Sequence, residues 1–372
     1  MTSHALTSQV VTSAAGGSTA GADAPGPVLL LAPSRGLGGG IERYLQTVQY
    51  AFADRGVAHQ RLDLARPGPA GHRVLFDEAA AALAGTAGPA RVVLGHRALL
   101  PVASLLARTR PVRGISVICH GSDVWGSLSG PRWQLESWLM RRANVRIVAV
   151  SSFTAGALFP GGQATILPPG LSRTWFRELT EATAAHREPE AGVGLITAFR
   201  LGEWREKGLP ELTEAIAALG RADVRLTVCG SGEPPADLVD HVGRHPWCSL
   251  RPGLADRELA AQFAAADLFV LATRTRSGRR PCGEGFGLVL LEAQVAGTAV
   301  IGPAHGGSSD AYLEGVTGAT PRDESAAALA AVLGELLRSP GRLAEMGTRG
   351  SAWARMQFAP DRYAALAADR LL

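Results

Sequence analysis

The stretch PVLLLAPSRGLGGGIERYLQTVQYAFADRG, residues 27–56, decides the fold of this chain. Residues 27–33 are a short apolar run that ends in proline, which predicts a buried strand. A glycine-rich loop, residues 34–40, leads into residues 41–56, where apolar side chains recur at helical spacing and Gly56 marks the end. The stretch therefore predicts a strand, a tight loop and a helix, the unit from which parallel sheets are built.

The same alternation returns along the rest of the chain in two blocks. Apolar runs at 91–95, 114–119 and 145–150 continue the first block, and the run at 194–199 opens the second. Continuous apolar strands that alternate with helices are typical of parallel sheets covered by helices on both faces. We therefore predict an α/β protein of two doubly wound domains, with ligands bound beyond the carboxyl ends of the strands, in the cleft between the domains.

The predicted domain boundaries follow from local composition. Residues 1–26 are small and polar and lack the basic start and apolar core of a secretory signal, which predicts a disordered leader. Residues 177–192 are charged and show little apolar periodicity, which predicts a linker. The N-terminal domain is thus expected at 27–176 and the C-terminal domain at 193–345, followed by a final helical segment at 346–372.

Composition narrows the class of protein. The chain has 372 residues, of which 46% are hydrophobic, and no apolar run reaches the roughly 18 residues of a membrane span. A net charge of +4 is too small to indicate nucleic-acid binding without a clustered basic face. The four cysteines are scattered, which argues against a disulfide framework or a cysteine zinc site and favours a cytoplasmic protein. We expect no nucleic-acid partner and no stable membrane insertion, and the oligomeric state stays open.

The segment GEGFGLVLLEA, residues 283–293, carries the strongest chemical signal. Glycines directly before a helix leave backbone N–H groups open to a phosphate, and the helix dipole favours that anion. Glu284 would lie beside such a phosphate and Glu292 two turns into the helix, where carboxylates accept hydrogen bonds from sugar or ribose hydroxyls. The alternative is that Glu284 only complements the helix dipole and that Glu292 is a solvated helix residue. The apolar neighbours of Glu292 favour a buried role.

The E-x7-E spacing from Glu284 to Glu292 resembles the signature of retaining GT-B glycosyltransferases of family 4, the glycosyl transferases group 1 type. Other segments resemble that family's blocks in the same order: GGGIERYLQTVQYAFADRG (38–56), VAVSSFTAGAL (148–158), ILPPGL (166–171), AFRLGEWREKGLPEL (198–212), VCGSGEP (228–234), ADLFVLATRTR (266–276) and AGTAVIGPAHGGSSDAY (296–312). The resemblance implies the GT-B fold, in which two Rossmann-like domains face each other across a cleft. It places the nucleotide-sugar donor on the C-terminal domain and the acceptor on the N-terminal domain, with the last helix crossing back to the first domain.

The resemblance also assigns roles by position. It implies that Arg200 and Lys207 hold the donor diphosphate, and two cations on one loop are suited to neutralise a pyrophosphate. Lys207 is the single lysine among 37 basic residues, which strengthens this assignment. His120 is expected to reach the donor sugar, with a purely structural role as the alternative, and Glu284 to meet the sugar hydroxyls. The implied donor-binding set further contains Gly39, Gly40, Gly230, the backbone of Phe286, Gly287 and Leu288, and the ribose-binding Glu292.

Departures and absences refine this expectation. Phe199 stands where the family has glycine before the arginine, and the spacing from Arg200 to Lys207 is longer, with Gly202 available to absorb the extra length. The sequence contains no Asp-x-Asp, no Walker motif and no metal-ligand spacing, and residues 36–41 lack the third glycine of a dinucleotide fingerprint. The resemblance therefore implies a retaining enzyme that needs no metal and no cofactor. It also implies front-face substitution, in which the leaving diphosphate helps to deprotonate the acceptor hydroxyl.

Two further segments bear on the acceptor. TRTRSGRRPCG, residues 273–283, contains four arginines, which either recognise an anionic acceptor or form a solvated loop. RWQLESWLMRR, residues 132–142, mixes tryptophans with arginines, and its spacing favours core packing over a membrane contact. The first helix has no basic face, so we expect a small soluble acceptor such as a natural-product intermediate of antibiotic biosynthesis.

Other functions stay open at the level of the sequence. A GT-B sugar-nucleotide epimerase needs no second substrate, and a non-catalytic nucleotide-sugar-binding protein turns nothing over. A Rossmann oxidoreductase is disfavoured by the incomplete glycine fingerprint. The residues do not specify the sugar, the acceptor or whether the donor is of the UDP, GDP or dTDP type.

Overall fold

The chain folds into two compact units, each built around its own parallel sheet. One unit contains the residues up to Pro168 together with Asp361–Leu372, and the other contains Pro169–Pro360. The predicted class, α/β with two doubly wound parallel sheets, is confirmed. A computed structural model describes residues 26–33, 39–125, 129–159, 162–184, 192–277 and 281–372, so nearly all of the predicted leader and the loop at 34–38 lie outside the described part.

The first unit contains six strands with helices between them. The strands are β1 (Val28–Ala32), β2 (His59–Asp63), β3 (Ala90–Leu94), β4 (Val112–Cys119), β5 (Val145–Ala149) and β6 (Thr165–Ile166). The helices are α1 (Gly40–Asp54), α2 (Pro69–Ala84), α3 (Leu100–Thr109), α4 (Gly121–Trp125), α5 (Pro131–Met140) and α6 (Ser152–Leu158). The sheet order is β2-β1-β3-β4-β5-β6, and every pair of neighbours is parallel. Strand β2 lies on one side of β1 and β3 lies on the other, so the strand order reverses between β1 and β3. Ligands in such sheets bind beyond the carboxyl ends of the strands at this point.

The second unit repeats the design. Its strands are β7 (Val193–Arg200), β8 (Val224–Ser231), β9 (Cys248–Pro252), β10 (Leu268–Val270), β11 (Ala299–Ile301) and β12 (Gly318–Ala319). Its helices are α7 (Arg173–Ala184), α8 (Leu209–Ala218), α9 (Ala236–Gly243), α10 (Asp256–Ala265), α11 (Leu288–Val295), α12 (Ala326–Leu337) and α13 (Pro340–Gln357). The sheet order is β12-β11-β10-β7-β8-β9, again with parallel neighbours. In this sheet the strand order reverses between β7 and β10.

The predicted linker at 177–192 is wrong over its first half. Residues 177–184 continue helix α7, and the unit begins at Pro169, before the predicted boundary at 176. Leu179 is fully buried against the helices of the second unit, whereas Arg177 and Glu181 lie exposed on the outer side and form an ion pair at 3.8 Å. The apolar stripe of α7 begins at Trp175 and Phe176, before residue 177, so the segment 177–192 contains only Leu179 and Ala182 of it. Residues 185–191, the rest of the predicted linker, lie outside the described part.

The predicted final segment at 346–372 divides between the two units. Helix α13 belongs to the second unit, and only Asp361–Leu372 joins the first. These last residues form most of helix α14 (Pro360–Leu371), whose Tyr363 and Ala367 are buried in the core of the first unit. The hydroxyl of Ser116 donates a hydrogen bond of 2.7 Å to the carbonyl of Leu371. The return to the first unit therefore begins at 361.

Candidate active site

A short loop carries the two predicted diphosphate ligands at the switch point of the second sheet. Arg200 is the last residue of β7, and a single 3-10 turn, Leu201–Glu203, follows it. The backbone N–H of Lys207 donates to the carbonyl of Glu203 at 2.9 Å, so this turn absorbs the longer spacing noted in the sequence. Gly208 then adopts φ +72°, and a Cβ there would lie 1.9 Å from the carbonyl oxygen of Ala272. The loop is therefore fixed against the residues that follow β10, and only glycine fits at 208.

Lys207 and Glu284 form an ion pair at this edge. The ammonium lies 3.0 Å from Glu284 Oε2, and the hydroxyl of Thr273 donates to the same oxygen at 3.1 Å. The two side chains are 20% and 16% exposed, so the pair is screened from most but not all solvent. Sequence reasoning did not single out Thr273, although its place just beyond a buried strand is where ligand-binding groups gather. The structure thus brings together the predicted cation and the predicted sugar-binding carboxylate.

The surroundings of Lys207 keep its side chain protonated. Burial alone would lower the pKa of Lys207, but the charge and hydrogen bond of Glu284, with the charge of Glu203, raise it above its usual value of 10.5. Arg200 opposes this with a smaller effect, and its own guanidinium bonds Glu203 at 3.0 Å. Because Arg200 is 46% exposed, it is a more screened cation than Lys207. The loop therefore presents two cations to an anion. The ammonium of Lys207 is mostly buried, and the guanidinium of Arg200 faces solvent.

Helix α11 begins beside this pair. Gly287 caps the helix in the left-handed conformation, at φ +79°, and Leu288 is the first helical residue. The first N–H groups of a helix have no partner within the helix and carry the positive end of its dipole. Phe286 is buried and meets the ring of Phe358 edge to face at a centroid distance of 6.2 Å, which anchors the loop before the helix. The helix start is thus preorganised for an anion.

Gly306 and Gly307 contact the backbone of Glu284 at the carboxyl edge of the second sheet. The N–H of Gly307 donates to the carbonyl of Glu284 at 2.9 Å, and Gly306, at φ +114°, passes so close that a Cβ would lie 2.4 Å from that carbonyl. The buried hydroxyl of Ser308 has no hydrogen-bond partner among the described residues, and a Cβ on Gly287 would lie 3.0 Å from it. Sequence reasoning did not identify Ser308, which adds a donor next to the start of α11.

Glu292 lies in the core of the second unit. Its carboxylate is buried and accepts a hydrogen bond of 3.0 Å from the indole N–H of Trp175. The alternative of a solvated helix residue is therefore wrong. Trp175 was not predicted, because it lies next to the segment that the sequence assigns to a linker.

The other predicted glycines have different surroundings. Gly230 pairs with Phe199 across β7 and β8, and a Cβ at 230 would lie 2.2 Å from the Phe199 carbonyl, so packing alone requires glycine there. Gly39 precedes helix α1 at φ +126°, and Gly40 is the first helical residue with open space around its Cβ position. Gly40 can therefore admit a ligand, whereas Gly230 serves close packing of the chain.

His120 stands at the carboxyl end of β4 in the first unit. Its Nε2 lies 2.9 Å from the carbonyl of Gly95, its backbone N–H donates to Asp123 Oδ2 at 2.7 Å, and the ring of Tyr44 meets it edge to face. Burial lowers the pKa of His120 to about 4, although the charge of Asp123 opposes this shift. The imidazole is therefore neutral near pH 7, and its proton on Nε2 is the one that can donate to Gly95.

A buried ionic network supports His120. Asp123 Oδ1 lies 3.0 Å from His96 Nε2 and 2.9 Å from Arg97 Nε, and Arg97 also pairs with Glu136. Burial and the charge of Arg97 lower the pKa of His96 to about 4, and burial raises the pKa of Asp123. No spacing in the sequence signals this network, because its members come from three separate elements.

Two arginines of the segment 273–283, Arg274 and Arg276, have acidic partners within the protein. Arg274 bonds Glu211 at 2.9 Å and the carbonyl of Glu324 at 2.7 Å, and Arg276 lies 3.6 Å from Glu206. Both arginines therefore have partners within the protein, and recognition of an anionic acceptor by this segment stays a prediction. The remaining two, Arg279 and Arg280, lie outside the described residues.

No helix among the described residues is both long and apolar enough to cross a bilayer. Within the same ranges, no three His, Cys, Asp or Glu side chains are gathered as they would be around a metal ion.

Comparison with known proteins places this geometry in a family. Residues 193–339 match the family described as glycosyl transferases group 1. The GDP-mannose-dependent alpha-(1-6)-phosphatidylinositol monomannoside mannosyltransferase of Mycolicibacterium smegmatis is 31% identical over 277 residues, covering 71% of this chain and 71% of its own. The protein of the same name from Mycobacterium tuberculosis is 30% identical over 296 residues, 74% of each chain.

The solved structures agree on the fold. HepE of Anabaena, crystallised in complex with UDP, matches with a TM-score of 0.71 at 15% identity, over 92% of this chain and 98% of its own. Sucrose-phosphate synthase from Thermosynechococcus elongatus matches with the same TM-score at 18% identity, over 92% and 97%. The predicted GT-B fold is thereby confirmed, and the sequence relatives extend across both units. The chain belongs to the glycosyl transferases group 1 family.

Proposed function

We propose that this protein is a retaining, metal-independent glycosyltransferase that moves a sugar from a nucleotide-diphosphate sugar to an acceptor hydroxyl. One observation carries the proposal: the single lysine of the chain is held as an ammonium beside Glu284, at the edge where helix α11 begins. A fixed cation and the free amides of a helix start are complementary to a pyrophosphate.

The diphosphate binds between Lys207, Arg200 and the backbone at 286–288. An ammonium has three N–H donors, of which Glu284 takes one, so Lys207 can bond the carboxylate and a phosphate oxygen together. Negative charge grows on the diphosphate as the sugar leaves, and the preorganised cation and dipole stabilise that charge. These groups take the role that a divalent ion has in metal-dependent transferases.

The sugar and the ribose bind through hydrogen bonds to side chains. Glu284 and the buried Glu292 accept from hydroxyls of the sugar and the ribose, in line with the family resemblance. The family resemblance also implies a sugar-binding role for His120, whose imidazole is neutral and buried at the end of β4. The acceptor hydroxyl attacks from the face that the diphosphate leaves, and the diphosphate takes its proton. This retains the anomeric configuration without a covalent enzyme intermediate.

The relatives suggest the first donor and acceptors to assay. GDP-mannose appears in the names of the relatives above and is therefore the first donor. The small soluble acceptor expected from the sequence and the phosphatidylinositol monomannoside in the relatives' names are the two acceptor classes to compare.

A transfer assay tests the proposal. The purified chain is incubated with GDP-, UDP- and dTDP-sugars, with each acceptor class, in the presence of EDTA. We expect nucleotide release that depends on an acceptor, persists in EDTA and gives a product whose anomeric linkage matches that of the donor by NMR. Sugar-nucleotide isomerisation without an acceptor would indicate the epimerase instead, an inverted linkage would refute retention, and restoration by magnesium alone would refute metal independence.

A further inference from the structure

The outer sides of helices α3 and α5 expose large apolar side chains. Trp138 is 51% exposed, Leu135 46% and Leu105 47%. Trp138 is the one exposed tryptophan of the seven in the chain, all of which are described. The two helices contact each other and contribute side chains to the same core, and these exposed residues are the ones that stay outside it. The core packing predicted for residues 132–142 therefore holds for the inner side of α5 and is wrong for Leu135 and Trp138.

The chain segment that carries these side chains is rich in arginine, and the exposed acidic residues Asp77 and Glu78 precede it on helix α2, which packs against α3. Residues 79–172 contain nine arginines and only two acidic residues, although the whole chain has a net charge of +4. Both acidic residues, Asp123 and Glu136, are buried in the network beneath His120. The exposed charged residues of this region are thus all basic: Arg108, Arg110, Arg113, Arg132 and Arg141. We call Leu105, Leu135 and Trp138 with Arg108, Arg132 and Arg141 the α3–α5 face.

Helix α5 is held rigidly from its inner side. Glu136 pairs with Arg97 and accepts from Arg132 at 2.8 Å, and the guanidinium of Arg97 lies 4.9 Å over the ring of Trp133. On the outer side, the guanidinium of Arg142 lies 4.1 Å over the ring of Trp138. The exposed indole of Trp138 therefore stacks with one cation, the guanidinium of Arg142.

We propose that the α3–α5 face docks on a membrane surface that contains anionic lipids. An indole and two leucines are suited to the boundary between headgroups and acyl chains, and the surrounding arginines are complementary to anionic headgroups. A second copy of the chain fits less well, because it would bring like charges together. Nucleic acid accounts for the arginines but not for the exposed leucines. The docking does not depend on the donor or on the reaction, so it stands or falls separately from the proposed function.

Vesicle sedimentation tests the proposal with the full chain. Sucrose-loaded vesicles of phosphatidylcholine alone, or mixed equally with phosphatidylglycerol, are pelleted with the protein at low and high salt. We expect binding to the mixed vesicles, little binding to phosphatidylcholine, and weaker binding at high salt. Arg108→Ser/Arg141→Ser should weaken the partition coefficient for the mixed vesicles about 25-fold, at about fivefold for each arginine. Leu135→Ser/Trp138→Ser should weaken it by a similar factor while leaving the salt dependence in place.

A matched variant separates this face from general charge. Arg244→Ser/Arg257→Ser removes two exposed arginines from the second unit and should leave vesicle binding unchanged. Thermal unfolding of all variants should match that of the natural chain, since the changed side chains are at the surface. Equal binding to both vesicle types, equal loss in the matched variant, or no loss in the α3–α5 variants would overturn the proposal. So would a Trp138-dependent dimer in light scattering, or an RNA oligomer that competes away all vesicle binding.

Discussion

The carboxyl edges of the two sheets hold their ionisable groups in different ways. In the first unit, Asp123 is enclosed by His96 and Arg97, and the pKa of both His96 and His120 is lowered to about 4. In the second unit, Lys207 and Glu284 remain partly open to solvent, and the pKa of Lys207 is raised. One edge has its charges neutralised internally, while the other keeps a cation that an incoming anion can reach.

The two sheet edges are therefore suited to different ligands, although both belong to the same kind of parallel sheet. Both edges lie at switch points of parallel sheets, where ligands bind in such folds. The neutral edge is suited to hydroxyl groups, which need hydrogen bonds but no charge. The cationic edge, with the start of α11 beside it, is suited to a diphosphate.

The largest effect should be the acid sensitivity of the first edge. The native state keeps His96 and His120 neutral down to about pH 4, whereas the unfolded histidines take up protons near 6.5. The unfolded state therefore binds more protons between these values, and the free energy of unfolding falls as the pH falls. From pH 7 to 5 we expect a loss of about 2 kcal/mol for each histidine, partly offset by the raised pKa of Asp123.

Urea unfolding at the two pH values measures this loss. His96→Asn keeps an acceptor at the cap position and removes one of the two imidazoles, so it should remove about half of the pH dependence. A natural chain whose unfolding free energy is the same at pH 7 and 5 would contradict the assignment of neutral buried imidazoles.

The next effect should come from the cation of the second edge. Lys207→Ala removes the ammonium and leaves Glu284 without its ion pair, so kcat/KM should fall about 10- to 150-fold, or about 1.5–3 kcal/mol. Arg205→Ala is the matched control, since Arg205 lies on the same loop but stacks on Trp204 and pairs with Asp237. Steady-state kinetics with the true donor provide the measurement, and equal losses in the two variants would remove Lys207 from the site.

Arg200 should contribute less than Lys207. Its side chain is half exposed and shared with Glu203, so solvent and salt screen its attraction for a diphosphate. Arg200→Ala should lower kcat/KM about tenfold at low salt, and the loss should shrink as salt is added. A loss that exceeds that of Lys207→Ala, or one insensitive to salt, would reverse the order of the two cations.

The smallest change in kinetics should come from removing the hydrogen bond that Trp175 donates to Glu292. Trp175→Phe removes the indole N–H that orients this buried carboxylate, so KM for the sugar nucleotide should rise about fivefold, or about 1 kcal/mol, with kcat little changed. Trp353→Phe is the control, because Trp353 packs in the same core against Phe358. Unchanged KM in Trp175→Phe, or an equal rise in the control, would show that the hydrogen bond does not position Glu292 for the nucleotide.

The sequence predicts best where pattern and packing are local. The apolar run of β4 and the glycines before α11 identify buried strands and a helix start without tertiary information. The place of Arg200 and Lys207 on one loop also follows from adjacency along the chain. The GT-B fold and the family were predictable for the same reason, because their motifs are short and ordered.

What the sequence does not predict depends on distant contacts. Asp123 and Glu136 meet Arg97 from different elements, and nothing in their spacing signals the network. Helical spacing shows that Trp138 shares a side with Leu135 but not whether that side is buried. Helix α7 was not predicted because the assigned linker begins at 177 and so separates Trp175 and Phe176 from Leu179, with which they pack in the core.

The most direct test is a crystal structure of the chain with a sugar nucleotide bound in the absence of divalent ions. We expect the diphosphate to lie within hydrogen-bond distance of Lys207 Nζ and of the backbone N–H groups at the start of α11. A diphosphate held at His96 and Arg97 in the first unit, or binding that occurs only with a metal ion between protein and phosphate, would contradict it.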